Sequence, residues 1–329
     1  MEVLEPDFEA HNNLASNEKD SECNTNSGAE CFDKEDEDFL VNVVEVEEGK
    51  WKTCFHVDNI FYKCIRKTIE RIKSETETDV SVPGRKQKGD IVIIGADKFN
   101  VVRARKRIKL IQKTEGPLTH FLSIPINNET FQQNFLIFKD KVLESCHETG
   151  INESLFQSEH RLHLTLGVLI LCDDIDKSEA CRILEECKVN IVNPLLSEKS
   201  LLLEMSGIGH MKTNPAKVTV VYGKVLLPEN PEILQQLVDS IVKYFMDKGI
   251  MRKQRNRVNV KLHVTLMNAS FIRGKRIRTF DATEIIKNFG DFYFGKAFIE
   301  RIDLSLMPSM TPSTGKCSYY EAASSISLA

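Results

Sequence analysis

The 329-residue chain has no apolar run long enough to cross a bilayer. The longest, Leu162–Cys172, carries His163 and Thr165 inside it and falls well short of the ~20 apolar residues a spanning helix needs. No secretory leader is expected either: the chain opens Met-Glu-Val-Leu-Glu-Pro, acidic where a signal peptide is basic. No C-x-x-C pair occurs among nine cysteines. An odd cysteine total suits a reduced intracellular chain better than a disulfide framework, and neither structural zinc nor any other metal or cofactor is expected. With 41% hydrophobic and 28% charged residues, the composition excludes wholesale disorder and a fibrous repeat.

What is present is unevenly spread. Residues 1–50 hold 16 acidic side chains and 3 lysines, a balance of −13. Residues 51–116 hold 16 basic and 8 acidic side chains (+8), and residues 117–329 hold 25 and 24 (+1). The expected organisation is an acidic disordered arm (1–50), a small basic domain (51–116), a larger near-neutral body (117–308) and a flexible tail (309–329).

In the basic domain, Trp51–Val57 predicts a strand and Ile60–Lys73 two short helical stretches. Val80–Val82 and Ile91–Ile94 predict strands joined by a basic turn with Arg85 and Lys86. Asp97 caps a final helix with an apolar face at Val101, Ala104, Ile108 and Ile111 and basic residues at 103, 105, 106, 107 and 109. This βααββα order resembles a KH domain, a module that binds single-stranded nucleic acid. The Gly-x-x-Gly clamp of that family falls on Lys63-Cys64-Ile65-Arg66, where both glycines are missing. Two readings follow: a scaffold, or an RNA clamp in which Lys63 and Arg66 attract phosphate.

The larger body repeats itself at an offset of 100 residues. Leu162-His163-Leu164-Thr165-Leu166 matches Leu262-His263-Val264-Thr265-Leu266. Strands at 118–124 and 218–225, helices at 131–146 and 231–245, and strands at 201–206 and 301–306 correspond in type. The second helix is punctuated by Asn230 as N-cap, Pro231 in the first position and Gly249 beyond its end. His-x-Thr alone is unspecific, since His147-Glu148-Thr149 is a third instance. In a strand, however, His163 and Thr165 share one face, about 6.6–7 Å apart, while the leucines bury on the other. The same alternation holds for His263 and Thr265. Two histidines titrating near neutrality supply a base and an acid for phosphodiester cleavage, and two hydroxyls supply hydrogen bonds to the non-bridging oxygens. His160 points off this face, and His210 is expected in a surface turn.

The duplicated motif resembles the 2H phosphoesterase superfamily. That resemblance implies an α+β architecture: a KH-like module followed by a pseudo-twofold duplicated α/β fold with two sheets around a cleft. It implies metal-independent cleavage of 2′,3′-cyclic or 2′–5′ RNA or nucleotide phosphodiesters, with His163, Thr165, His263 and Thr265 catalytic. The combination of modules implies a nuclear subunit, with the cytoplasm as a second location, of a transcription-coactivator complex tied to alkylation-damage repair, with a helicase among its partners. A monomer within that complex is expected. Residues 252–280 hold nine Lys/Arg and no acid, Arg255, Arg257 and Arg276 among them. They read either as a guide for a polyanion or as a localisation stretch or solvated loops. The competing function is a non-catalytic RNA- or nucleotide-binding scaffold subunit.

Overall fold

The computed structural model describes residues 37–328 apart from 41, 85–86, 88, 147–149, 198, 253–258, 273–278 and 309–317. Arg85, Lys86, Arg255, Arg257, Arg276 and the third His-x-Thr at 147–149 lie outside the described residues, as does most of the acidic arm. The chain divides into two compact units, one holding residues up to His56 with Ile65–Lys109, the other Val57–Cys64 with Leu110 onward.

The first unit begins inside the expected arm. A single turn α1 (Glu37–Leu40) precedes β1 (Val43–Glu47), which pairs antiparallel with β2 (Lys50–Phe55). Gly49 makes that tight reversal possible with a φ of +70°, a conformation glycine adopts at little cost. Then come α2 (Tyr62–Thr76), β3 (Thr78–Ser81), β4 (Ile91–Gly95) and α3 (Lys98–Glu115), with sheet order β1-β2-β4-β3. Ile65, Ile72, Ile91, Ile93, Val101, Ala104 and Ile108 are fully buried, so the expected inner face of α3 forms as read.

The helix pattern differs from the sequence reading. Asn59–Phe61 is a single 3₁₀ turn running directly into α2, with Asp58 accepting from Ile60 N at 3.1 Å. Lys63-Cys64-Ile65-Arg66 therefore lies within a continuous helix and is not a loop. Cys64 and Ile65 are buried, and the Arg66 guanidinium donates to the Pro83 carbonyl. Two apolar side chains in mid-motif drive this stretch into the core, where helical backbone satisfies its amides internally.

The second unit contains β5 (His120–Pro125), α4 (Glu129–Ser145), β6 (His163–Leu169), α5 (Asp174–Cys187), α6 (Asn193–Leu196), β7 (Leu201–His210) and β8 (Val220–Leu226). It continues with α7 (Pro231–Asp247), β9 (Val264–Asn268), α8 (Thr283–Phe289), β10 (Tyr293–Ile299), β11 (Arg301–Leu306) and β12 (Ala322–Ser327). Strand order is β10-β7-β8-β9-β6-β5-β11-β12, antiparallel throughout. The two expected sheets are two four-stranded halves joined by one register pair, Leu164↔Val264. Those two residues are each other's equivalents in the 100-residue repeat, so the pseudo-twofold axis passes between them. Each half also exchanges a strand: β7, which ends the first repeat, pairs with β8, and β11, which ends the second, pairs with β5.

Packing follows the helix faces. α4 is capped by Asn128, which accepts from Phe131 N at 3.1 Å, and buries Phe131, Phe135, Phe138 and Val142. Phe138 meets Phe289, Phe292 and Phe294 at ring separations of 5.9, 5.3 and 5.4 Å. α7 starts at Pro231, buries Leu234, Leu237, Ile241 and Phe245, and is followed by Gly249 at φ +73°. Asn230 occupies the N-cap position without a side-chain capping bond.

Two further readings need correction. His210 is the last residue of β7, not part of a surface turn. The stretch expected as a loose tail supplies β12, which pairs with β11, buries Ile326 and holds Asp303 through Ser325 Oγ at 2.7 Å, and Leu328 just beyond it is buried as well. Its Ser/Ala composition suggests a linker, but an edge strand needs few large side chains once a partner strand supplies the hydrogen bonds.

Candidate active site

The site is built on the innermost strands, β6 and β9. Leu162, Leu164 and Leu166 are buried, as are Val264 and Leu266. His163, Thr165, His263 and Thr265 are half-buried on the opposite face. Antiparallel pairing at Leu164↔Val264 sets His163 beside Thr265 and Thr165 beside His263. All four side chains are thus brought together about the pseudo-twofold axis.

Each histidine is held the same way. His163 Nδ1 lies 2.7 Å from the Arg161 carbonyl, and His263 Nδ1 lies 2.7 Å from the Lys261 carbonyl. A carbonyl only accepts, so Nδ1 carries the proton in both rings and Nε2 is the atom that takes up or releases a proton.

A matched irregularity follows each threonine. On β6 the register passes from Ser123↔Thr165 to Leu122↔Gly167, leaving Leu166 as an extra residue. On β9 it passes from Tyr222↔Thr265 to Val221↔Met267, leaving Leu266 extra. These paired bulges bend both strands beside the motif, a device that re-aims neighbouring side chains.

The surroundings of the two rings differ. His163 packs against Phe121 at 5.2 Å, Tyr320 at 5.3 Å and Tyr319 at 6.5 Å between ring centroids. Burial among these rings pushes its pKa down to about 4; the Nδ1 bond to Arg161 opposes that shift, and the charge of His263 adds to it. Tyr319 hydroxyl lies 3.0 Å from Ser123 Oγ, and burial raises both phenols, keeping them protonated. His263 meets Tyr222 edge-on at 5.6 Å.

Sequence reading missed this shell. Arg161 guanidinium lies 5.1 Å over the Tyr320 ring, and Lys261 Nζ lies 4.6 Å over the Tyr222 ring. Extending the repeat by one residue upstream pairs Arg161 with Lys261 as a matched basic couple; nothing local marks Tyr222, Tyr319 or Tyr320. Lys63 and Arg66 lie on α2 and are not brought to a loop. Of the basic run at 252–280, Arg252 and Lys261 are described. Among the described residues, no group of three or more His, Cys, Asp or Glu could hold a metal ion. No helix among them is long and apolar enough to cross a membrane.

The chain is similar to several known proteins. Two solved structures cover 64% of the chain: Escherichia coli LigT complexed with 3′-AMP, 14% identical at a TM-score of 0.39 over 98% of its length, and a phosphoesterase, 13% identical at 0.37 over 99%. Activating signal cointegrator 1 complex subunit 1 of Mus musculus is 35% identical over 260 residues, 72% of each chain. Residues 118–328, from the strand before α4 through β12, match the model of the AKAP7 2'5' RNA ligase-like domain, a 2H phosphoesterase family, and the chain belongs to that family.

Proposed function

We propose that the chain is a phosphodiesterase acting on RNA or nucleotide phosphodiesters, 2′,3′-cyclic or 2′–5′ linked, with His163 and His263 as its general acid–base pair. The observation that carries this reading is the identical anchoring of both Nδ1 atoms, which makes Nε2 the ring nitrogen that can exchange a proton in each histidine. On a 2′,3′-cyclic phosphate, one Nε2 accepts a proton from water as its oxygen bonds to phosphorus. The other donates a proton to the ribose oxygen whose bond to phosphorus breaks. Thr165 and Thr265 donate hydrogen bonds to the non-bridging oxygens, where charge grows in the transition state. The route draws on protein groups alone, so EDTA leaves it intact.

Similarity to a subunit of the activating signal cointegrator 1 complex supports membership of a multisubunit coactivator complex. Carried further, that similarity and the KH-like order of the first unit suggest a nuclear subunit acting in alkylation-damage repair beside a helicase, with single-stranded nucleic acid as a further ligand. Continuity of α2 through Lys63–Arg66 favours a scaffold over a phosphate clamp for that module. It also supports a second reading, a binding subunit without turnover.

The test is turnover of 2′,3′-cyclic-phosphate RNA, 2′–5′ linked RNA and plain single strands under EDTA, wild type beside His163→Ala and His263→Ala. Each substitution is expected to remove ~10²–10⁴-fold of the rate. Full turnover by either variant would sink the acid–base pair. Equal binding with no cleavage by any protein would favour the binding subunit.

A further inference from the structure

We propose that Arg161 and Lys261 form two anion subsites, one at each end of the histidine–threonine constellation. They would hold the phosphates that flank the scissile one, so the site prefers an oligonucleotide to a mononucleotide. The inference rests on the phosphodiester reading above.

Position is the first argument. Each cation stands two residues before its histidine, and its own carbonyl fixes that histidine's Nδ1. Because β6 and β9 run antiparallel about Leu164↔Val264, Arg161 lies beyond one end of the four-residue site and Lys261 beyond the other. A chain crossing the histidines would present one phosphate to each.

Construction is the second. In both halves the cation lies over a tyrosine ring whose edge meets the imidazole: Arg161–Tyr320–His163 and Lys261–Tyr222–His263. Duplication accounts for the histidine, the threonine and the basic residue, but not for the tyrosines. Tyr222 is in β8, opposite Thr265, and its first-half counterpart opposite Thr165 is Ser123. Tyr320 instead arrives from the far end of the chain, just before β12. The same shelf is thus built twice from unrelated positions.

Charge is the third. Arg161 donates from Nε to the Ser318 carbonyl at 3.2 Å, and Lys261 Nζ lies 3.7 Å from Met211 Sδ. Among the described residues neither has a carboxylate partner. A half-buried cation held on a ring and left without an anion is suited to a phosphate, and arginine's fork binds two of its oxygens.

The experiment measures binding of a 3′-fluorescein-labelled 2′-O-methyl trinucleotide with a 5′-phosphate, so that a central phosphate has one neighbour on each side, and of the matching mononucleotide, to the full chain across a salt series. Wild type is expected to bind the trinucleotide more tightly and with a steeper salt slope. In the Arg161→Gln/Lys261→Gln double variant the slope is expected to fall by about 1.4, from roughly 0.7 for each single-strand phosphate that is no longer neutralised. Mononucleotide affinity should stay within about twofold, the single variants should each give half the change, and R161K/K261R should restore the slope. Equal binding of both probes by wild type would overturn the proposal without any variant, as would an unchanged slope in the double variant. Slope loss in a protein that cleaves nothing would keep the subsites while sinking the enzymatic reading. An intact slope with histidine-dependent cleavage would do the reverse.

Discussion

Around His163 the protein assembles Phe121, Tyr319 and Tyr320, whereas the described ring beside His263 is Tyr222. Yet the backbone bond at Nδ1, the bulge after the threonine and the cation over a tyrosine are the same in both halves. What both halves share is what the proposed proton transfer to and from a phosphodiester would need. What differs is the apolar enclosure, which depresses the pKa of His163 to about 4. The enclosure comes partly from Tyr319 and Tyr320, in the segment that leads into β12.

After the histidines themselves, the equivalence of the halves in the proposed reaction is broken most severely at the hydroxyls. Thr165→Val and Thr265→Val are each expected to slow cleavage by ~10²–10³, the cost of one transition-state donor, measured as single-turnover rates. Losses differing by more than about tenfold would show that the halves do not share the load. Stability comes next. Ile326→Ala, in a strand outside the symmetric set, is expected to cost ~2–5 kcal/mol in urea unfolding, because its side chain is fully packed.

The difference in enclosure has a pH signature. A histidine whose folded pKa lies below 6.5 stays neutral in the fold while the unfolded chain takes up a proton. Its stabilisation is therefore present above pH 6.5 and lost as pH falls toward 4. For His163 the loss is on the order of 3 kcal/mol, and buried His120, also lowered to about 4, adds a similar slope. Urea midpoints taken between pH 7 and 4 should drop steeply, and less so in His163→Gln. The smallest change is spectroscopic. In Tyr320→Leu the His163 imidazole resonance should titrate closer to 6.5, whereas Tyr222→Leu should leave His163 near 4.

Much of this was legible in the chain. The four motif residues, their shared face, the inner face of α4 and the start of α7 at Pro231 all follow from period-two or period-3.6 patterns and from helix punctuation. Other features were not. The Lys63–Arg66 stretch invited a loop by analogy, but its own Cys64 and Ile65 are apolar enough to be buried in a helix. β1 read as arm because four of its five side chains are exposed and its stability comes from pairing with β2. β12 read as tail for the same reason.

The repeat spacing alone determined that two His-x-Thr strands exist and which way their side chains face, because alternation is a local property of extended backbone. Only the tertiary structure decided that β7 and β11 exchange halves, that Leu164 meets Val264, and that rings at 121, 222, 319 and 320 surround the histidines. Those neighbours depend on which strands pair, and strand pairing joins residues as far apart as His120 and Leu306, which no local pattern connects.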